Sequence, residues 1–210
     1  EVIITTVSTI GLIALVIFWL SPASSGVVSL VRTSLLAVVP LLIVVSFILL
    51  IDRWEPEPWK TKGALFLWGA GVATISAGIL NTALQENIIL SLGDVNQSNA
   101  LAATFIAPLI EETLKGLGVL IVVVVRRTNI NSIIDGVVYA GFSACGFMFA
   151  EDILYFLRVD DPADSSLLFT FIMRGIASPF VHAMATSMTG IGLALALIKF
   201  KRGWSKTGIV

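Results

Sequence analysis

Residues 107–118 read APLIEETLKGLG. The stretch sets two carboxylates and a lysine into a run otherwise suited to hydrocarbon. Around it the composition is of the same kind: 57% of the residues are hydrophobic and 13% charged. An ordinary soluble domain carries about a quarter charged residues. The chain is therefore expected to be an integral membrane protein, all-α, a polytopic helical bundle. A formal net charge of -1 leaves no basic footprint for nucleic acid, so nucleic acid is not the partner. Cys145 has no second cysteine to pair with, and His182 is the sole histidine. Cysteine and histidine alone cannot supply the ligands of a zinc site, and any metal must lean on carboxylates.

A spanning helix needs about 20 mostly apolar residues, and six such segments can be read. The first covers about 3–20 and ends at SPASSG from Ser21; it lacks a basic front and a small-residue cleavage site, so it is expected to span and not to be a signal peptide. The second runs over about 28–51 with a kink expected at Pro40. The charged, proline-containing DRWEPEPWK, residues 52–60, is expected as a surface loop. The third span, about 63–90, is rich in Gly and Ala and suited to close helix packing. A polar loop, SLGDVNQSN, then leads to a fourth span over about 99–125 and a fifth over about 131–157, followed by the acidic VDDPADSS. The final apolar stretch, Leu167 to Phe200, is too long for one perpendicular span and predicts a short helix, a break near Ser178-Pro179 and a sixth span over about 179–199. Residues 1–210 are thus expected to form one integral membrane domain.

Counting Lys and Arg on alternate sides orients the bundle. One face collects Arg53, Lys60, Lys62, Arg126, Arg127, Lys199, Lys201, Arg202 and Lys206, the other Arg32 and Arg158. Both termini are expected to be cytoplasmic, in a plasma membrane.

The ionisable groups within predicted helices are Glu86, Glu111, Glu112, Lys115, Asp135, Glu151, Asp152, Arg174 and His182. Each costs about 2.5 to 3.5 kcal/mol near the bilayer centre, so such groups mark sites or pathways. Glu111 and Lys115 stand four apart and Glu112 and Lys115 three apart, so the lysine can neutralise one glutamate and leave the other to react. Counted at about 1.5 Å per residue from their cytoplasmic ends, Glu111 lies about 21 Å up, Glu151 about 30 Å and His182 about 25 Å. All three can meet in the outer half of the membrane, whereas Asp135, about 6 Å up by the same rise, reads as a helix N-terminal anion. Two chemistries suit the set. A glutamate can activate water as general base while histidine, lysine or arginine stabilises the oxyanion. Alternatively, carboxylates and His182 can hold one divalent metal that acidifies its bound water. Arg174 and the break after it are expected to shape substrate access. A non-enzymatic reading makes Glu86, Glu111, Glu151 and Arg174 a proton relay in a coupled transporter, and a third makes the chain an inactive binder of a transmembrane partner. A serine-protease reading of 141-GFSACG-146 fares worse, because Ser143 lacks a following glycine.

At these residues the sequence resembles the PrsW family of intramembrane proteases, related to type II CAAX prenyl endopeptidases and bacteriocin-processing enzymes. The family's Glu-Glu-x-x-Lys motif is matched by Glu111, Glu112 and Lys115, its Phe-x-x-x-Glu motif by Phe147 and Glu151, and its third motif by His182. The loop 52-DRWEPEPW-59 and Asp135-Gly136 also resemble the family pattern. The resemblance implies a bacterial or archaeal intramembrane protease cleaving a single-span membrane protein, with anti-sigma factor cleavage as the family's known use. By analogy with the first glutamate of the doublet it implies Glu111 as base, with Glu112 the other candidate; it does not settle the metal, for which Glu112, Glu151 and His182 are the expected ligands of one divalent ion, zinc foremost. A metal-free, glutamate-dependent mechanism is the alternative. Thr186 stands where the wider group often has Asp or Asn, and a threonine is a poor metal ligand.

Overall fold

The computed structural model describes residues 2–19, 26–127, 130–160, 166–177 and 179–206. The described residues contain helices and no strands. Helix α1 is Val2–Trp19 and α2 Val27–Asp52, the latter running through Pro40 without a break. Helix α3, Trp59–Leu67, passes through a π-helical turn, Trp68–Ala73, into α4, Thr74–Leu92. Helix α5, Val95–Leu101, likewise passes through a π turn, Ala102–Ile106, into α6, Ala107–Val125. Helix α7 is Ile133–Arg158; α8, Ser166–Ile172, and a third π turn, Met173–Ala177, precede α9, Pro179–Lys206. Ser178 and residues 161–165 lie outside the described residues.

Four helical stretches, Val27–Asp52, Trp59–Ser91, Ile133–Arg158 and Ser166–Lys201, are long and apolar enough to cross a membrane. Helix α6 interrupts its apolar run with Glu111, Glu112 and Lys115. The outer faces carry exposed Ile10, Ile17, Val28, Leu35, Phe47 and Val124, as a lipid-facing surface requires.

The core forms around α7, whose glycines, alanines and Ser143 let neighbouring backbones come close. A Cβ on Gly146 would stand 1.9 Å from the Phe66 carbonyl oxygen, and one on Gly69 1.9 Å from that of Ser143, so the α3 segment and α7 cross nearly in backbone contact. Gly136 and Gly190 make the same approach between α7 and α9. Ser143 Oγ donates to the Lys115 carbonyl oxygen at 3.1 Å, a packing role that ties α7 to α6. Trp68 Nε1 donates to the adjacent Leu114 carbonyl oxygen at 3.0 Å and ties the α3–α4 segment to α6.

Two expected loops differ from the sequence reading. The polar run after α4 shrinks to a turn: Gly93 takes φ +67, and the Asp94 carboxylate caps α5 by accepting from the N–H groups of Asn96 and Gln97 at 2.9 and 3.1 Å. A residue suited to the N-cap starts the helix among polar residues that composition alone assigns to a loop. The 53–58 segment exposes Arg53, Trp54, Glu55 and Pro56 but turns Glu57 inward, where it is buried and accepts a hydrogen bond from the Tyr139 hydroxyl. The Glu57 N–H donates to Asp52 Oδ1 at 3.0 Å, and Asp52 Oδ2 accepts from Lys62 Nζ at 2.5 Å. Burial pushes the Glu57 carboxyl above its ordinary value, although the Tyr139 hydroxyl works against it. Asp135 closes a capping box with Ser132 at the start of α7.

Candidate active site

Three helices each bring one group to a common point. Glu111 from α6, Glu151 from α7 and His182 from α9 offer ligand atoms that all lie within 4.8 Å of one another. The first turn of α6 continues from the π turn Ala102–Ile106, and Arg174 sits in the π turn before α9. Each π turn adds a residue to the helical ladder and rotates the residues after it, a device common at functional sites.

The charges sort into pairs. Glu112 faces away from this point: one oxygen accepts from Lys115 Nζ and the other from Thr186 Oγ1 at 2.7 Å. Lys115 is fully buried, with its Nζ 3.1 Å from His182 Nδ1 and 4.5 Å from the centre of the Phe147 ring. Glu151 Oε2 accepts from Arg174 Nη2 at 2.5 Å and lies 3.3 Å from His182 Nε2. Arg174 Nε also donates to Asp152 Oδ1 at 3.0 Å, and its guanidinium stacks 3.8 Å above the Tyr155 ring. The other Asp152 oxygen is buried without a hydrogen-bond partner. Among the described residues, Glu111 accepts its hydrogen bond from a neutral amide, Asn81 Nδ2 at 3.5 Å.

Lysine only donates, so the neutral His182 ring accepts at Nδ1 and carries its proton on Nε2, toward Glu151. Phe147 packs against the ring with centroids 5.9 Å apart and holds its plane. Beside the group opens a cavity of about 410 Å³, lined by Glu111, Glu151, Arg174 and His182 and by the amides of Asn81, Gln85 and Asn99.

The structure thus gathers Glu111, Glu151, His182, Phe147 and Arg174, and places Glu112, Lys115 and Thr186 behind them. The ligand group expected from the sequence contained Glu112; the group that converges contains Glu111 in its place, because both Glu112 oxygens are engaged by Lys115 and Thr186. Arg174, expected near substrate access, clamps Glu151 and Asp152. Glu86, a member of the relay in the transporter reading, is exposed on α4 and does not line the cavity. Sequence reasoning missed the pairing of Asp152 and the amide wall of α4, since neutral amides carry no charge to flag them.

Two carboxylates and one imidazole fit a divalent cation in type and number, the usual catalytic zinc pattern being three protein ligands with an open position for water. His182 would enter through Nε2; its ring proton would then move to Nδ1, and Lys115 would have to give way there, since a ligating histidine ordinarily donates its second N–H.

A family model described as PrsW family intramembrane metalloprotease matches residues 57–210. A curated relative, Protease PrsW of Clostridioides difficile (strain 630), is 29% identical over 121 residues, covering 58% of this chain and 49% of that protein. The match thus spans about half the length of the relative. No solved structure matches the chain.

Proposed function

The chain belongs to the PrsW family of intramembrane proteases, and on that premise we propose that it hydrolyses a peptide bond of a single-span, anti-sigma-factor-like membrane protein. The observation that carries this reading is the convergence of Glu111, Glu151 and His182 on one point at the edge of a polar cavity within an apolar bundle. Glu111, free of any cation contact as close as those of its neighbours, takes a proton from water as the water oxygen bonds to the scissile carbonyl carbon. The carbonyl π electrons move onto oxygen. As the tetrahedral state collapses, the C–N bond breaks and Glu111 returns the proton to the leaving nitrogen. Glu151, held by Arg174, accepts from His182 Nε2–H and fixes the ring beside the reacting atoms. Lys115 neutralises Glu112 and sets the ring tautomer from behind.

A second reading rests on the same three groups and on the metalloprotease description of the family. Glu111, Glu151 and His182 would hold a divalent cation, zinc foremost, which when bound would polarise the carbonyl and acidify water. The lysine and arginine distribution supports an orientation with both termini cytoplasmic, and the family resemblance supports a bacterial or archaeal plasma membrane.

The test is cleavage of a reconstituted single-span substrate by the parent, Glu151→Gln and His182→Gln, each with and without a chelator. Loss in both variants with a chelator-insensitive parent supports glutamate chemistry, and loss on chelation restored by zinc supports the metal. A parent that cleaves no substrate under any condition overturns the protease reading.

A further inference from the structure

Peptide hydrolysis requires a hydrogen-bond donor at the oxygen that becomes an anion, and most donors around Glu111 are already engaged. Lys115 is fully buried between Glu112 and His182. Arg174 is spread over Glu151, Asp152 and the Tyr155 ring. Thr186 donates to Glu112, and His182 Nε2–H faces Glu151. Resting on the protease reading above, we infer that Asn81 supplies the oxyanion donor, its side-chain N–H group binding the carbonyl oxygen of the scissile peptide as negative charge develops there.

Three observations point to it. Asn81 lines the cavity beside Glu111 and Phe147. Its Nδ2 lies 3.5 Å from Glu111 Oε1, long for a hydrogen bond, so this donor can turn to a stronger acceptor at little cost. Its Oδ1 is buried without a partner. A carboxylate only accepts, so the amide must turn its NH2 edge toward Glu111, and the orphaned oxygen on the opposite edge is the consequence of that orientation. A buried polar atom left unpaired is expensive, and such strain is kept where it positions a functional group. Access from the cleft is open: Gly78, three residues earlier on α4, also lines the cavity, and a Cβ there would meet nothing within 4 Å.

A donor of this kind acts on the transition state and not on the bound substrate. With the full chain reconstituted and a single-span substrate, Asn81→Leu is expected to lower kcat by about 100- to 1,000-fold and to leave KM within about twofold. Asn81→Ser, which returns one donor on a shorter arm, is expected to recover part of that loss. Affinity for a phosphinate isostere of the scissile peptide should fall in step with kcat/KM, a correlation that a structural role for Asn81 does not produce. Thermal unfolding identifies variants that fail to fold, and Asn81→Ala serves as the second test should Asn81→Leu prove one of them. The inference is overturned if the folded variants keep kcat within about fivefold of an active parent, or if KM alone changes. A parent that cleaves nothing overturns the protease reading and this inference with it, an outcome distinct from an active parent indifferent to Asn81.

Discussion

Removing the Arg174 guanidinium tests the electrostatic architecture of the site most severely. Its Nη2 reaches Glu151 Oε2 at 2.5 Å and its Nε reaches Asp152 Oδ1 at 3.0 Å, with side-chain exposures of 18% for the arginine, 14% for Glu151 and 1% for Asp152. Arg174→Met keeps much of the packing on Tyr155 but leaves two adjacent carboxylates, one fully buried, without their shared cation. Breaking a buried pair from one side costs about 3 to 5 kcal/mol. The partial exposure of the arginine argues for the lower end, about 3 kcal/mol. Neutralising the stranded partner should return much of this, so Arg174→Met with Asp152→Asn is expected to be more stable than Arg174→Met alone, with a coupling of about 2 kcal/mol. Arg174→Lys should rescue poorly, because an ammonium lacks the planar fork that spans both carboxylates. Reversible unfolding in mixed micelles, followed by tryptophan fluorescence, measures the parent, Arg174→Met, Asp152→Asn, the double variant and Arg174→Lys. A loss below about 1 kcal/mol in Arg174→Met, or strict additivity in the double variant, would refute the clamp.

Further perturbations address other parts of the fold. Lys115→Met strands Glu112, whose side chain is 24% exposed, and should cost about 2 kcal/mol, below the range for fully buried pairs. Because His182 is the sole histidine, its ¹⁵N spectrum should report one tautomer, protonated at Nε2, in the parent and lose that preference in Lys115→Met. Burial raises the Glu57 carboxyl above its ordinary value of 4.5, so its contribution to stability is full below that value and is lost as pH rises through the higher folded-state value. Glu57→Gln should therefore gain stability relative to the parent as pH rises from about 4 to 8. Gly146→Ala drives a Cβ to 1.9 Å from the Phe66 carbonyl oxygen and should cost about 3 kcal/mol, whereas Gly63→Ala, with nothing within 4 Å, should be tolerated, both read by the same unfolding in mixed micelles.

The helices were legible because each apolar run is long enough to declare itself, and the charged members of the site because each is expensive in hydrocarbon. Glu111, Glu151, Arg174 and His182 stand out from their surroundings in the sequence alone. Which glutamate of the doublet faces the other two groups was not legible from spacing. Adjacent helical residues point about 100° apart, and the π turn ahead of α6 resets the phase in a way no periodicity announces. The Arg174–Asp152 pair joins residues 22 positions apart across a region with a π turn, and only packing brings them together. Glu57 was hidden among exposed, proline-flanked charges, and its inward turn depends on Tyr139 from a distant helix. Asn81 gives no signal because an uncharged amide on a mixed helix face looks like any other.

The most direct measurement compares kcat/KM of Glu111→Gln and Glu112→Gln on one reconstituted single-span substrate, with folding of each checked by circular dichroism. Glu111 stands with Glu151 and His182, whereas Glu112 is bound to Lys115 and Thr186. The account predicts a fall of about 1,000-fold or more for Glu111→Gln, the scale of a lost general base. For Glu112→Gln it predicts a fall of no more than about tenfold, equivalent to 1.4 kcal/mol. The reverse order, with Glu112→Gln inactive and Glu111→Gln near the parent, would contradict it.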